Sequence, residues 1–141
     1  MGAERAGAMA AANGTAGLTD TDILIDAARG IADAVAFLAA QQVAGGTHVS
    51  IISAMELVAG CRNKTELAQV QQFLQRVTVL PISTTASQTA YQLMESFFLS
   101  HGLLIPDALI AAAALERGLT LHTKNVRHFQ MIPALKVVRP H

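Results

Sequence analysis

Three carboxylates lie close together near the start of the sequence, in the stretch LTDTDILID. Asp20, Asp22 and Asp26 interrupt a segment that is otherwise apolar. Crowded or buried carboxylates repel one another and lose hydration, so they persist as ions only when a positive group joins them. The stretch therefore indicates a place where a cation could bind.

Further polar side chains follow later β-like runs in the same way. Glu56 comes after THVSII, Asp107 comes after LLIP, and Asn125 comes after LTLHT. Ligands of open α/β sheets bind at the carboxyl ends of the strands, where segments distant in sequence meet. We therefore expect Asp20, Glu56 and Asp107 to share a metal ion, with Asn125 beside them.

Each of these residues also has a purely structural interpretation. Asp22 could be a helix N-cap, and Asn125 could be a turn residue. Ser53 and Glu56 fit the S-x-x-E spacing of a capping box, and Asp107 could simply begin a helix. The two kinds of role can coexist, because an acid at a helix start can also point into a cleft.

The predicted elements place these residues on an α/β scaffold. Predicted strands at 18–20, 47–53, 78–82, 119–123 and 136–138 alternate with helical patterns. Thr84 or Thr85 is expected to cap the fifth helix, and Gly118 to end the helix that Pro106 and Asp107 begin. Alternation of this kind predicts a mainly parallel sheet covered by helices on both faces.

Composition excludes several classes of protein. The chain of 141 residues is the size of one domain, and we expect residues 1–17, rich in Ala and Gly, to be a disordered lead-in to a domain at 18–141. No apolar run is long enough to span a membrane. Cys61 is the single cysteine, which excludes an intramolecular disulfide and suits a reducing cytosol.

Charge is balanced overall but uneven along the chain. Lys and Arg number 10, as do Asp and Glu, which excludes a broad polybasic surface for nucleic acid. No acid follows Glu116, whereas several basic residues do. Lys124 and Arg127 flank Asn125, so they could contact an anionic ligand or form an ordinary solvated surface.

Four segments of the sequence resemble the successive motifs of PIN-domain ribonucleases, specifically the VapC-type toxins of bacterial toxin-antitoxin pairs. They are DTDILID, SAMELVAG, PDALIAAAALERGLTL and TKNVRHFQMIPALKVV, and they extend from Leu18 nearly to the end of the chain. The resemblance implies a PIN-like three-layer α/β/α fold and an endoribonuclease that cuts tRNA or rRNA in the cytoplasm. It also implies a VapB-type antitoxin as inhibitor and a homodimer, for which we expect the helical segments of residues 64–77 to supply the interface.

The resemblance also assigns roles to individual residues. Asp20, Glu56 and Asp107 take the places of the acidic pocket that binds Mg²⁺ or Mn²⁺. Mg²⁺ prefers oxygen ligands and usually keeps several waters, so we expect Asp20 and Asp107 to bind it directly and Glu56 to act through a water. Asn125 stands where the family often has Asp, and could hold a ligated water or a phosphate oxygen. The number of metal ions is thereby left open.

Neighbouring residues have simpler interpretations. Thr123 and Ser53 carry small hydroxyls that we expect to form structural hydrogen bonds beside the site. His128 and Phe129 are expected to pack around the last strand.

Three other functions compete with the nuclease. A haloacid-dehalogenase-type phosphatase would use the D-x-D of Asp20 and Asp22, but it needs a longer apolar strand before them and a later acidic pair. A response-regulator receiver would use a late Lys such as Lys124, but its phosphorylated Asp should end a strand, whereas Asp107 begins a helix. A non-catalytic PIN-like interaction module would not need all three acids.

Overall fold

Five short strands form one parallel sheet, in the order β3-β2-β1-β4-β5. The computed structural model of the protein describes residues 17–141. The strands are β1 (Gly17–Thr19), β2 (His48–Ser50), β3 (Thr78–Leu80), β4 (Thr120–His122) and β5 (Val137–Val138). The chain moves outward from β1 to β3 and then returns to place β4 on the other side of β1. The reversal puts the crevice typical of such sheets at the carboxyl ends of β1 and β4.

Six helices flank this sheet within residues 17–141, which confirms the predicted α/β class. They are α1 (Thr21–Ala28), α2 (Ala32–Val43), α3 (Ile51–Ala59), α4 (Lys64–Gln75), α5 (Thr84–His101) and α6 (Ile105–Arg117), with a 3-10 turn at Val126–His128. None of the helices in this part of the chain has the length and apolar character needed to cross a membrane.

The main core lies between the central strands and α5 and α6. Leu18 of β1 and Leu121 of β4 are completely buried, and so is Phe129 beyond β4. The small side chains of Ala111–Ala114 are buried in the same cluster, as expected for a helix that approaches the sheet closely. The burial of Phe129 confirms its predicted packing role.

A second core cluster uses the apolar face of α4. Leu24, Val49 and Leu57 are buried at its centre, and partly buried residues of α4 such as Val70 and Phe73 pack against them. This face, which we expected to supply the dimer interface, is therefore engaged within the subunit. The largest exposed apolar side chains of α5 and α6 are those of Tyr91, Phe98, Leu99 and Ile105.

Several boundaries differ from the sequence prediction. The strand predicted at 47–53 ends at Ser50, whose hydroxyl caps α3 by accepting from the backbone N–H groups of Ile52 at 3.0 Å and Ser53 at 3.2 Å. The β-branched pair after Ser50 thus enters a helix, because the cap and packing outweigh strand propensity. Ser83 caps α5, which corrects the assignment to Thr84 or Thr85. The predicted C-cap Gly118 is confirmed, with φ 63°.

Strand β1 begins one residue before the predicted start of the domain. Gly17 is the first residue of β1 and is buried, so it does not belong to the predicted lead-in. A Cβ at this position would lie 2.2 Å from Cε1 of His122, the buried residue at the end of β4. Only glycine fits so close to that ring. The rest of the predicted lead-in, residues 1–16, lies outside the described residues.

Candidate acidic active site

Asp20 stands at the carboxyl end of β1, against β4. Its backbone N–H donates to the carbonyl of His122 at 2.9 Å, which continues the pairing of the two strands by one residue. Its side chain caps α1, since Oδ1 accepts from the N–H of Thr21 at 2.8 Å. Oδ2 accepts from the Thr123 hydroxyl, also at 2.8 Å. Asp20, not Asp22, is therefore the N-cap, and Thr123 forms the structural hydrogen bond predicted for it.

The environment of Asp20 disfavours its ionised form. The side chain is buried, with 5% of the residue exposed. The pKa of Asp20 is raised to about 6, mainly by burial and further by repulsion from Asp22 and Asp107, and the hydrogen bonds from Thr123 and Thr21 only partly offset these effects. A cation bound at this carboxylate would remove the repulsion that raises its pKa.

Glu56 lies on the second turn of α3 and faces the start of α1. The Thr21 hydroxyl is 2.6 Å from Oε1 of Glu56 and 2.8 Å from Oγ of Ser53. Because the Thr21 hydroxyl has one hydrogen, it donates that hydrogen to the Glu56 carboxylate and accepts a hydrogen bond from the Ser53 hydroxyl. The capping-box interpretation of Ser53 and Glu56 is wrong, because Ser50 caps α3.

Asp107 is the third residue of α6 and is partly buried. Burial is the main reason that the pKa of Asp107 is raised, and the charges of Glu56 and Asp22 raise it further, against the opposing effect of His128. The Nδ1 atom of His128 lies 3.5 Å from Oδ2 of Asp107. His128 is exposed, so the packing role predicted for it is wrong.

A cleft of about 170 Å³ opens beside Asp107. His128 and Arg127, from the 3-10 turn after β4, line one part of it, and Leu104 and His101 line another. Arg127 is exposed at this cleft. Arg127 and Asp107 thus line the same cleft.

Lys124 is engaged differently from Arg127. Its ammonium group forms an ion pair with Asp26 of α1, and the Lys124 side chain is 33% exposed. Its backbone carbonyl also accepts from the guanidinium of Arg139 at 3.0 Å. This favours a structural role for the Lys124 side chain over the solvated surface pair considered from the sequence.

Asn125 lies beside Asp22. Its amide nitrogen Nδ2 donates to Oδ2 of Asp22 at 3.2 Å, and its backbone N–H donates to the Thr123 hydroxyl at 3.0 Å. Asp22 contacts the loop after β4 through these bonds, although it was not among the residues predicted to share the metal ion. The signal available in the sequence was its position two residues after Asp20, at a helix start.

The oxygen-rich donor set fits a hard divalent cation. Within residues 17–141, no group of three or more His, Cys, Asp or Glu side chains is arranged to hold a metal ion. Mg²⁺ commonly uses only one or two carboxylates and completes its shell with water. The charge of Asp107 contributes to the raised pKa of Asp20, and these two residues are the carboxylates expected to bind the ion.

Comparison with known proteins agrees with this geometry. The family model described as "PIN domain" matches residues 18–133. The chain belongs to the PIN-domain family. The PIN assignment accounts for the parallel sheet with an acidic crevice, and it does not favour the phosphatase and receiver alternatives.

Relatives of this PIN domain are named as ribonucleases, and a similar structure is named as a toxin-antitoxin complex. It is 34% identical over 120 residues to "Ribonuclease VapC10" of Mycobacterium tuberculosis, covering 84% of this chain and 90% of that one. It is 32% identical over 94 residues to "tRNA(fMet)-specific endonuclease VapC" of Salmonella typhimurium, covering 63% and 71% of the two chains. A "Toxin-antitoxin complex from Klebsiella pneumoniae" is similar in structure, with TM-score 0.74, 29% identity, and coverage of 89% of this chain and 98% of that one.

Proposed function

We propose that this protein is a divalent-metal-dependent endoribonuclease that acts as the toxin of a toxin-antitoxin pair. The observation that carries the proposal is the acidic crevice at the end of β1, where the charge of Asp107 contributes to the raised pKa of Asp20 and that of Glu56 to the raised pKa of Asp107. Both aspartates have a raised pKa there, caused by burial and by neighbouring acids. Such a cluster has little use as a structural feature, whereas a metal-dependent nuclease needs it.

Asp20 and Asp107 are the residues that would hold the ion, with Mg²⁺ preferred and Mn²⁺ as a second possibility. A bound divalent ion supplies positive charge to the phosphodiester and makes a coordinated water more acidic. The side chain of Asp20 is held in place by Thr21 and Thr123 before any ion arrives. Ligands that are already oriented lower the entropy cost of binding the ion.

Glu56 orients the attacking water. The Thr21 hydroxyl engages only Oε1 of Glu56. Glu56 is exposed, so the carboxylate can reach a water that approaches the phosphodiester. Asn125 completes the proposed catalytic set at the edge of the site, where its amide faces Asp22.

RNA binds across the cleft beside Asp107. Arg127 is the preferred phosphate contact, because its guanidinium is exposed and suits phosphate geometry. Lys124 remains a second candidate, but its ammonium must leave Asp26 to reach RNA. A neutral chain needs such local cations, since 10 acidic and 10 basic residues give no general attraction to RNA.

The partner that inhibits the enzyme is a VapB-type antitoxin encoded beside it. The name of the similar Klebsiella pneumoniae structure, a toxin-antitoxin complex, supports this proposal. Co-expression of the neighbouring gene should restore growth to cells that express this protein. Growth inhibition that persists in the presence of the soluble neighbouring gene product would contradict the partner assignment.

We also propose that the active protein is a homodimer. Because α4 packs its apolar face within the subunit, an interface there would have to use the remaining surface of that helix. Light scattering of the purified protein measures the mass directly. A mass equal to the single chain of 14.8 kDa would refute the dimer.

Metal dependence tests the central proposal. Protein stripped with EDTA should lose RNA cleavage, and Mg²⁺ or Mn²⁺ should restore cleavage and also raise the melting temperature, because the ion relieves carboxylate repulsion. Asp20→Asn is the matched control, in which the ion should produce neither effect. Cleavage by wild-type protein that continues in excess chelator would overturn the proposal.

The RNA class is tRNA or rRNA. Mapping of RNA ends after brief induction, compared with induction of Asp20→Asn, should reveal new ends within one of these classes. New ends found only in messenger RNA would contradict this part of the proposal.

A further inference from the structure

The loop that follows β4, residues 123–125, is tied to α1 through one carboxylate oxygen. Oδ2 of Asp22 accepts from the backbone N–H of Lys124 at 2.9 Å and from Nδ2 of Asn125 at 3.2 Å. The same oxygen lies 3.4 Å from the Thr123 hydroxyl, which has its shorter bond to Asp20. Two segments about a hundred residues apart are thus joined within a few ångströms of the proposed metal ligand.

We propose that Asp22 is a positioning residue of the nuclease site, which holds loop 123–125 so that Thr123 can orient Asp20. This inference rests on the proposed nuclease function. The connection runs through the Thr123 hydroxyl, which donates to Oδ2 of Asp20 and accepts from the backbone N–H of Asn125. If the loop moves away from Asp22, the Thr123 hydroxyl moves with it, and Asp20 loses the bond that sets its direction.

The contact with Asp22 also explains why residue 125 is neutral. An ionised carboxylate can only accept hydrogen bonds, so Asn125 must present its amide nitrogen to Asp22. An aspartate at position 125 would place a second carboxylate against Oδ2 of Asp22, where like charges repel. Asn125 therefore contributes to the site through its hydrogen bond to Asp22, and its position does not require it to bind a metal or a phosphate.

A backbone hydrogen bond and an ion pair hold the same loop without involving Asp22. The backbone N–H of Thr123 donates to the carbonyl of Val138 at 3.0 Å, and the Lys124 ammonium pairs with Asp26. The loop should therefore stay close to its place when Asp22 is changed. The expected result is a misaligned catalytic site in a folded protein.

A double-mutant cycle on Asp22 and Asn125 tests the inference. Asn125→Asp should lower kcat for RNA cleavage by about tenfold or more, the size of one charged hydrogen bond. Asp22→Ala removes the acceptor of the loop and should lower kcat by a similar factor. In the Asp22→Ala background, Asn125→Asp should lower kcat by less than about threefold further, because no carboxylate remains at position 22 to repel the new one.

The main competing role is that Asp22 binds the metal ion itself. In that case Asp22→Asn would abolish cleavage as completely as Asp20→Asn does, and this result would overturn the positioning role. Under our inference Asp22→Asn keeps more activity than Asp22→Ala, because the oxygen of the new amide can still accept from the Lys124 N–H.

A second readout does not depend on catalysis. The backbone N–H of Lys124 should be protected from hydrogen exchange in wild type, keep most of this protection in Asp22→Asn and lose it in Asp22→Ala, as measured by NMR without metal or RNA. If the wild-type protein cuts no RNA, the proposed function fails, but this experiment still tests the contact between Asp22 and loop 123–125. Protection of Lys124 that is the same in all three proteins would refute the inference.

Discussion

The Thr21 hydroxyl donates a 2.6 Å hydrogen bond to Oε1 of Glu56 and thereby joins the first turn of α1 to α3 across the acidic crevice. Thr21 is buried, and its backbone N–H is bound to Asp20. Thr21 of the DTD motif therefore contacts two acids of the site, Asp20 and Glu56. The position of Glu56 depends on this contact, because helix capping does not hold its side chain.

Substitution of Glu56 separates chemistry from stability. Glu56→Gln keeps the acceptor for Thr21 but removes the charge, so we expect near-normal thermal stability and cleavage reduced by about a hundredfold or more, the range typical of a lost acid-base group. Single-turnover cleavage of RNA measures the rate, and thermal unfolding checks the fold. Thr21→Val is the companion variant, and should lower the rate less, because it leaves the charge in place. Wild-type cleavage by Glu56→Gln would show that Glu56 has no part in the reaction.

Substitution of Asp107 tests metal binding. Asp107→Asn preserves the size of the side chain at the start of α6 but removes the charge that attracts a hard cation. We expect loss of cleavage and growth inhibition, and at least about tenfold weaker binding of Mg²⁺ or Mn²⁺ by calorimetry. His128→Gln serves as the control, since it changes the neighbour of Asp107 and leaves the carboxylate intact. Unchanged metal affinity in Asp107→Asn would remove this residue from the proposed pocket.

The raised pKa of Asp20 predicts a pH-dependent cost of folding in the absence of metal. The pKa of Asp20 is about 6 in the folded chain and 3.8 for the ordinary group, so the folded state holds its proton more tightly. The free energy of unfolding should fall as pH rises from about 4 to about 6, by at most about 3 kcal/mol, and then level off.

Comparison with Asp20→Asn isolates this contribution from other carboxylates. The variant does not titrate at residue 20, so in EDTA it should gain stability relative to wild type across that pH range. Chemical denaturation at several pH values gives the difference. A difference that stays constant from pH 4 to pH 7 would contradict the predicted shift.

Binding of RNA should depend more on Arg127 than on Lys124. We expect Arg127→Met to weaken binding of a short single-stranded RNA and to reduce the salt slope of log K by about 0.7, the value for one lost phosphate contact. Lys124→Met should change the slope less, because its ammonium already pairs with Asp26. Fluorescence anisotropy in an Asp20→Asn background measures binding without cleavage. Equal slopes for Arg127→Met and its parent would exclude Arg127 as a phosphate contact.

Gly17 should be intolerant of a side chain. In Gly17→Ala the new methyl group would meet the His122 ring, which also packs against Phe37 with ring centroids 5.1 Å apart. We expect a loss of about 1–3 kcal/mol in the free energy of unfolding, as for other overpacked sites. His122→Ala in the same chain should recover part of this loss, as measured by chemical denaturation. If His122→Ala makes no difference to the effect of Gly17→Ala, the clash is absent.

The sequence by itself was enough to predict the fold class and to name three acidic residues of the proposed site. Alternating strand and helix patterns are local properties, and they require a parallel sheet whose strand ends meet at one edge. The positions of Asp20, Glu56 and Asp107 after three such segments were therefore enough to propose a shared site. The resemblance to the PIN-domain family followed from the same residues.

Only the tertiary structure decided how the side chains of this site are held. Asp22 and Asn125 are separated by 103 positions along the chain, and their contact depends on β4 lying beside β1. The same holds for Thr21 and Glu56, 35 positions apart, and for His128 beside Asp107. Periodicity reports which face of an element is buried, but strand order and register decide which distant side chains meet there.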